Sequence, residues 1–150
     1  MRWTSYSEEL ALCVWDKVQG SKAFWHQLEG KSYDSFNRML QEADLICDFG
    51  FGLGLVTNLM PEHACRVHGL FWSKDVFRKA KMVTTAICLL GLRYKLARIE
   101  CIVPVANRGL NKYMTKYLGF SFEGTLKNYY KTADGFAHGN IYALIGGING

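Results

Sequence analysis

The sequence predicts a mixed α/β domain, and three stretches lead to that class. Residues 79–94 place Ala80, Val83, Ile87, Leu90 and Tyr94 three or four positions apart. Residues 98–103 set apolar Ile99, Cys101 and Val103 against Arg98, Glu100 and Ile102, and Asp134-Gly135 separates two strand-like runs near the end. A period near 3.6 builds one apolar face of a helix, a period of 2 builds one face of a strand, and Asp-Gly favours a tight hairpin turn.

The remaining elements follow in chain order. Ser7 stands ahead of Leu10, Ala11, Val14, Trp15 and Val18, the spacing of an amphipathic helix behind a capping hydroxyl. Ser32 opens a second such pattern through Phe36, Met39, Leu40 and Ala43. Residues 45–58 are β-leaning and dotted with glycine, and a strand resumes from Ala64 to Trp72 after the turn signal Pro61-Glu62-His63, so a hairpin or meander is expected. Pro104 ends the alternating strand, Asn107–Leu118 reads as a short helix stopped by Gly119, and the closing order is β, α, β, α, β, β.

A chain of 150 residues, 49% hydrophobic and 21% charged, has the size and balance of one domain spanning 1–150, and no Pro- or Ser-rich linker divides it. The uncharged run from Phe49 to Pro61 falls well short of the roughly 20 residues that a membrane span needs, and the opening residues lack the apolar core and cleavage site expected of a secretory signal. A cytoplasmic protein without a membrane partner is expected. The five cysteines form no C-x-x-C pair and sit among apolar neighbours, which suits reduced thiols. The net charge of +5 favours a polyanionic partner, either a phosphorylated cofactor or, less favoured, a nucleic acid.

Several motifs have plain readings. Gly50-Phe51-Gly52-Leu53-Gly54 lacks both the dinucleotide spacing and the P-loop ending, and reads as a glycine-bearing strand or bulge. His63, Cys65 and His68 lack a second ligand pair at zinc spacing, so no metal is assigned. Lys127, Tyr129, Tyr130 and Lys131 interleave base and ring as a nucleic-acid surface does, or form a solvated hairpin. Trp3, Trp15, Phe24 and Trp25 make the N-terminal region aromatic, as a core or as an exposed patch.

The segment Leu118-Gly119-Phe120, followed by Glu123-Gly124, Tyr130, Gly135 and Tyr142, resembles the ending of the GCN5-related N-acetyltransferases, in particular the branch that acetylates N-termini of ribosomal proteins and its relatives in tailed phages. Ala97-Arg98-Ile99-Glu100 and Asn107 are similar to the family's fifth strand and to the Asn that caps the next helix and touches coenzyme A. The resemblance covers residues 33–145. It implies a central mixed, mostly antiparallel β-sheet splayed between strands 4 and 5 and flanked by helices.

It also implies an acetyl-CoA co-substrate and an amine-bearing acceptor, a protein N-terminus or a small amine, joined by direct transfer in a ternary complex. The family grips pyrophosphate with a Q/R-x-x-G-x-G/A loop, where glycine lets backbone N–H groups at a helix N-terminus reach the anion. Matching Thr84-Thr85-Ala86 to that branch puts Lys79 and Lys81 at the two glycine positions. The implied cofactor-binding set is Leu70, Trp72, Arg78, Lys79, Ala80, Lys81, Met82, Val83, Thr84 and Asn107, and lysine ammonium groups can neutralise phosphate there.

The resemblance places the thioester carbonyl against the backbone of Leu70-Phe71-Trp72, which makes Phe71 a catalytic candidate. Glu100 and His68 are candidate proton acceptors, each also readable as an ordinary strand residue, and Tyr117 and Tyr113 are candidates to protonate the departing thiolate. The slot in which the family usually has that Tyr holds Thr115. Two functions remain open at this stage: an acetyl-CoA-dependent N-acetyltransferase, or the same fold kept without catalysis as a binding or structural protein, such as a phage virion component. The sequence sets no oligomeric state.

Overall fold

The computed structural model describes residues 1–20 and 32–146. Phe24 and Trp25 of the aromatic N-terminal set lie outside them. The elements are β1 (Arg2–Thr4), α1 (Glu8–Gly20), α2 (Tyr33–Gln41), β2 (Leu45–Asp48), β3 (Gly52–Met60) and β4 (Ala64–Phe71), then α3 (Asp75–Arg78), α4 (Ala80–Tyr94), β5 (Arg98–Pro104), α5 (Arg108–Lys116), β6 (Ser121–Thr132) and β7 (Gly135–Ile145).

The seven strands form one sheet in the order β1-β2-β3-β4-β5-β7-β6. Every neighbouring pair is antiparallel except β4 with β5, which run parallel with α3 and α4 as their crossover. Local chemistry accounts for the helix ends. The Ser7 and Ser32 hydroxyls accept from the amides of Leu10 at 3.1 Å and Ser35 at 3.2 Å, and Asn107 Oδ1 accepts from Leu110 at 3.1 Å. Beyond α5, Gly119 has φ +73°, the left-handed conformation that lets the chain turn into β6.

Apolar residues cover both faces of the sheet. Ala11, Val14, Phe36 and Leu40 of α1 and α2 pack on Ile46, Leu53, Leu55 and Leu70. On the opposite face, Val83, Ala86, Ile87 and Leu90 of α4 and Tyr113 and Met114 of α5 pack on Val56, Cys65, Ile99, Cys101 and Val103. A fully buried aliphatic side chain contributes about 1.5–3 kcal/mol, so these two layers dominate stability. Trp15 belongs to the first layer, its ring 5.2 Å from Phe36 and 5.7 Å from Tyr33.

Two elements go beyond the sequence expectation. β1 forms because Arg2, Trp3 and Thr4 pair with Asp48, Cys47 and Ile46, and the four-residue α3 forms in the crossover ahead of α4. No helix among the described residues is long and apolar enough to cross a membrane.

Candidate active site

The site begins where two parallel strands part. β4 and β5 pair only through Ala64↔Arg98, Cys65↔Ile99 and Arg66↔Glu100, and beyond that point they diverge. Hydrogen bonds at both ends of β4 set which way its backbone faces. The amides of Ala97 and Arg98 donate to the His63 carbonyl at 2.9 and 3.1 Å, so His63 faces β5, whereas the Trp72 amide donates to Phe51 of the neighbouring chain segment at 3.1 Å. Backbone groups alternate between the two sides along a strand, so Gly69 and Phe71 turn their N–H groups toward the open side, and Leu70 turns its own toward β3.

The same reasoning orients β5. Ala97 accepts from the Gly146 amide at 3.1 Å and the Val105 amide donates to His138 at 3.0 Å, so odd-numbered residues face β7 and Ile102 faces the opening. Of the Leu70-Phe71-Trp72 stretch expected to hold the thioester, only Phe71 therefore presents an N–H to the cleft. Gly69 joins it, a residue the sequence reading did not single out.

A cavity of about 210 Å³ occupies the opening. Val83, Ile87, Leu110 and Tyr113 line it from the α4 and α5 side, and Met39, Leu55, His68, Leu70 and Ile102 line it from the other, so it passes through the sheet at the splay. The Phe71 ring lies flat along its own strand: a Cβ on Gly69 would stand 2.5 Å from that ring. Across the opening, the Tyr130 hydroxyl donates to the Ile102 carbonyl at 2.8 Å, and Gly139 makes room for this reach, because a Cβ there would stand 2.8 Å from Ile102 and 3.2 Å from Tyr130. Burial pushes the Tyr130 phenol above its ordinary pKa.

His68 lines the same cavity, half-buried, with its Nε2 3.0 Å from the Thr57 hydroxyl. Glu100 is placed otherwise. Its Oε1 accepts from Arg66 at 2.6 and 2.9 Å and its Oε2 from Arg98 at 3.2 Å, and Arg98 also grips Glu123 at 2.6 and 2.9 Å. Burial raises the Glu100 pKa, but the two guanidinium groups outweigh it and hold the carboxyl below its ordinary range. A carboxylate so paired is a poor proton acceptor, and the pairing is that of an ordinary strand residue, the other reading its sequence position allows.

Tyr113 and Tyr117 occupy different environments. Tyr113 is buried, and its hydroxyl donates to the Val76 carbonyl at 3.1 Å, tying α5 to α3; burial raises its pKa. Tyr117 does not line the cavity. It lies at the C-terminal end of α5, 43% exposed, stacked on Tyr113 with ring centroids 5.5 Å apart. Thr115, in the slot between them, turns back to the Lys112 carbonyl at 3.3 Å.

The start of α4 is a cationic, uncapped helix end. Its first turn contains Ala80, Lys81, Met82 and Val83, has no acidic residue, and receives no side-chain cap from Lys79. The Lys79 ammonium lies 5.7 Å from the centre of the Phe51 ring and 3.8 Å from Asp75, while Arg78 is exposed and pairs with the same carboxylate. Thr84 is occupied with the Ala80 carbonyl at 3.2 Å, and Trp72 carries the Lys17 ammonium 5.1 Å from its ring. Leu70 and Val83 of the expected binding set thus reach the cavity, as does the catalytic candidate Phe71, while Lys79, Ala80, Lys81 and Met82 form the start of α4 and Asn107 caps α5.

Tyr130 turns inward to Ile102, and Tyr129 accepts from Arg66 at 3.2 Å and meets Tyr130 edge-on at 4.9 Å. All five cysteines are unbridged, and among the described residues no group of three or more His, Cys, Asp or Glu side chains is arranged to hold a metal ion.

The sequence matches no family model and no curated protein. Its fold has solved counterparts. The ribosomal-protein-S5-alanine acetyltransferase of Vibrio fischeri aligns with a TM-score of 0.70 at 17% identity, over 95% of this chain and 91% of its own. A ribosomal alpha-N-protein acetyltransferase solved in complex with coenzyme A gives 0.67 at 14% identity, over 95% and 92%. A spermidine N-acetyltransferase from Vibrio cholerae gives 0.65 at 12% identity, over 97% and 95%. The mixed seven-stranded sheet, parted between β4 and β5 and flanked by helices, is the fold of the GCN5-related N-acetyltransferases.

Proposed function

We propose that this protein is an N-acetyltransferase that moves the acetyl group of acetyl-CoA directly to a primary amine. The observation that carries the reading is the open splay: β4 and β5 part after Arg66 and Glu100, and the N–H groups of Gly69 and Phe71, turned away from β3, border a cavity with lining residues on both faces of the sheet. The counterparts include enzymes named for acetylating a ribosomal protein or spermidine, and one holds coenzyme A.

The chemistry follows from those groups. The thioester carbonyl lies against the Gly69 and Phe71 amides, which stabilise the oxyanion that forms when the amine nitrogen attacks. The new C–N bond forms, the C–S bond breaks, the amine proton passes to the His68 imidazole, and the coenzyme A thiolate takes a proton from water. An apolar cavity disfavours the ammonium form, so it helps to present the amine as a neutral nucleophile.

At about 210 Å³ the cavity is smaller than the roughly 300–1,000 Å³ of sites that enclose a whole small ligand, so it suits the acyl end of the co-substrate. The pyrophosphate then falls at the α4 start, among the first-turn amides, Lys79, Lys81 and Arg78, with the Asn107-capped start of α5 close to the pantetheine arm.

Isothermal titration with acetyl-CoA, paired with an assay for thiol release in the presence of amines, tests the reading. Saturable micromolar binding that weakens with salt is expected, together with amine-dependent release of coenzyme A. A flat titration at millimolar acetyl-CoA would refute it.

A further inference from the structure

Among the described residues that line the cavity, none is Asp, Glu, Lys or Arg. Its acceptor-side wall is Met39, Leu55, Leu70 and Ile102, closed by the edge-to-face pair Tyr129 and Tyr130. The carboxylate on the same face of β5, two residues before Ile102, is Glu100, and its charge is already matched by Arg66 and Arg98.

We infer that the acceptor is a primary amine on an uncharged, apolar carbon body, and that polyamines are excluded. The inference rests on the acetyltransferase reading above and specifies its substrate class. The reacting amine enters as the neutral form and leaves as an amide, so it needs no counter-charge. A second ammonium, with a pKa near 10, stays charged at neutral pH and finds an apolar wall with no carboxylate among the described residues that line it. An aromatic or branched aliphatic group instead buries surface against the tyrosine pair and the leucines. Two sources supply this chemistry: a small arylalkylamine, or the N-terminus of a peptide that begins with a large apolar residue.

The experiment is a thiol-release assay with acetyl-CoA against 2-phenylethylamine, peptides beginning with Leu or Phe, putrescine and spermidine, with products identified by mass spectrometry. The apolar amines are expected to exceed spermidine in kcat/KM by about a hundredfold, and the phenylethylamine and peptide arms separate the two sources. Equal or faster acetylation of spermidine overturns the inference while leaving acetyl transfer intact, and so does saturable acetyl-CoA binding with idle apolar amines. A protein that neither binds acetyl-CoA nor releases thiol with any amine takes the underlying reading down as well. Met39→Glu, on the half-buried face of α2, is expected to raise the spermidine-to-phenylethylamine ratio at least about tenfold by supplying the missing carboxylate; an unchanged ratio counts against the assignment.

Discussion

The Tyr130 hydroxyl reaches across β7 to hydrogen-bond the Ile102 carbonyl at 2.8 Å, satisfying a backbone acceptor that the splay has deprived of its strand partner. One side chain from an edge strand thus caps a buried carbonyl that faces the splay. Tyr130→Phe keeps the ring and removes the donor. A buried acceptor left unpaired costs about 1–3 kcal/mol, so urea unfolding should show a loss in that range with an unchanged m value. Full stability in this variant would mean that water serves the Ile102 carbonyl equally well.

Gly69 is needed for space. A methyl group there would stand 2.5 Å from the Phe71 ring, which itself packs on Phe51 and Tyr113. Gly69→Ala should force the ring aside at a cost of about 1–3 kcal/mol and misplace the adjacent N–H groups that face the cleft. Thermal unfolding and acetyl-CoA titration on one preparation check both effects. Weaker acetyl-CoA binding with the fold retained is the expected pattern.

The α4 start should respond to charge. Each cation near a bound phosphate at an exposed helix end is worth about 0.3–1 kcal/mol, so replacing Lys79 and Lys81 with Glu removes two attractions and adds two repulsions. The acetyl-CoA Kd should rise by about tenfold or more at low salt, and the difference should shrink at high salt. An unchanged Kd would move the pyrophosphate elsewhere.

Much of the fold could be read from periodicity, and the site could not, for identifiable reasons. α4 and β5 carry their patterns over enough residues to be unambiguous, and the Ser7, Ser32 and Asn107 caps act within three residues of themselves. β1 is only Arg2–Thr4 and exists through its pairing with β2, while α3 spans four residues in the crossover. Glu100 looked like a proton acceptor because its arginine partner, Arg66, lies on another strand. Gly69 carried no motif: only the bonds at His63 and Trp72 fix which β4 residues face the opening. Tyr130 looked like a surface ring until Gly139, on the next strand, gave it room to turn inward.

The thiols divide by burial. Cys13 and Cys88 are exposed, whereas desolvation raises Cys47 to about 11 and Cys65 and Cys101 to about 12. Thiolate is the reactive form, so a disulfide reagent at pH 8 should label two thiols quickly and all five only in denaturant. These raised values also mean that the neutral thiols stabilise the fold fully below the unfolded pKa near 8.5 and progressively lose that contribution as pH rises toward 11–12. Fast labelling of a third thiol in the native protein would show that the cavity, lined by Cys47 and Cys101, admits the reagent.

Acid should act through the arginine network. Glu100 and Glu123 both have pKa values held below the ordinary carboxylate range, Glu100 despite burial and Glu123 chiefly through its hydrogen bonds from Arg98. Groups with depressed folded values stabilise fully above their unfolded pKa of about 4.3 and lose that contribution as pH falls through the folded one. Unfolding free energy should therefore be flat from neutral pH down to about 5 and decline below it. Glu100→Gln leaves Arg66 and Arg98 without their shared carboxylate at 27% and 30% side-chain exposure. A loss of about 1–2 kcal/mol at pH 7, discounted from a fully buried pair, and a shallower acid slope are expected. An acid slope identical to the natural protein's would place the acid-sensitive charge elsewhere, with the Asp75 carboxylate between Arg78 and Lys79 as the next site to neutralise.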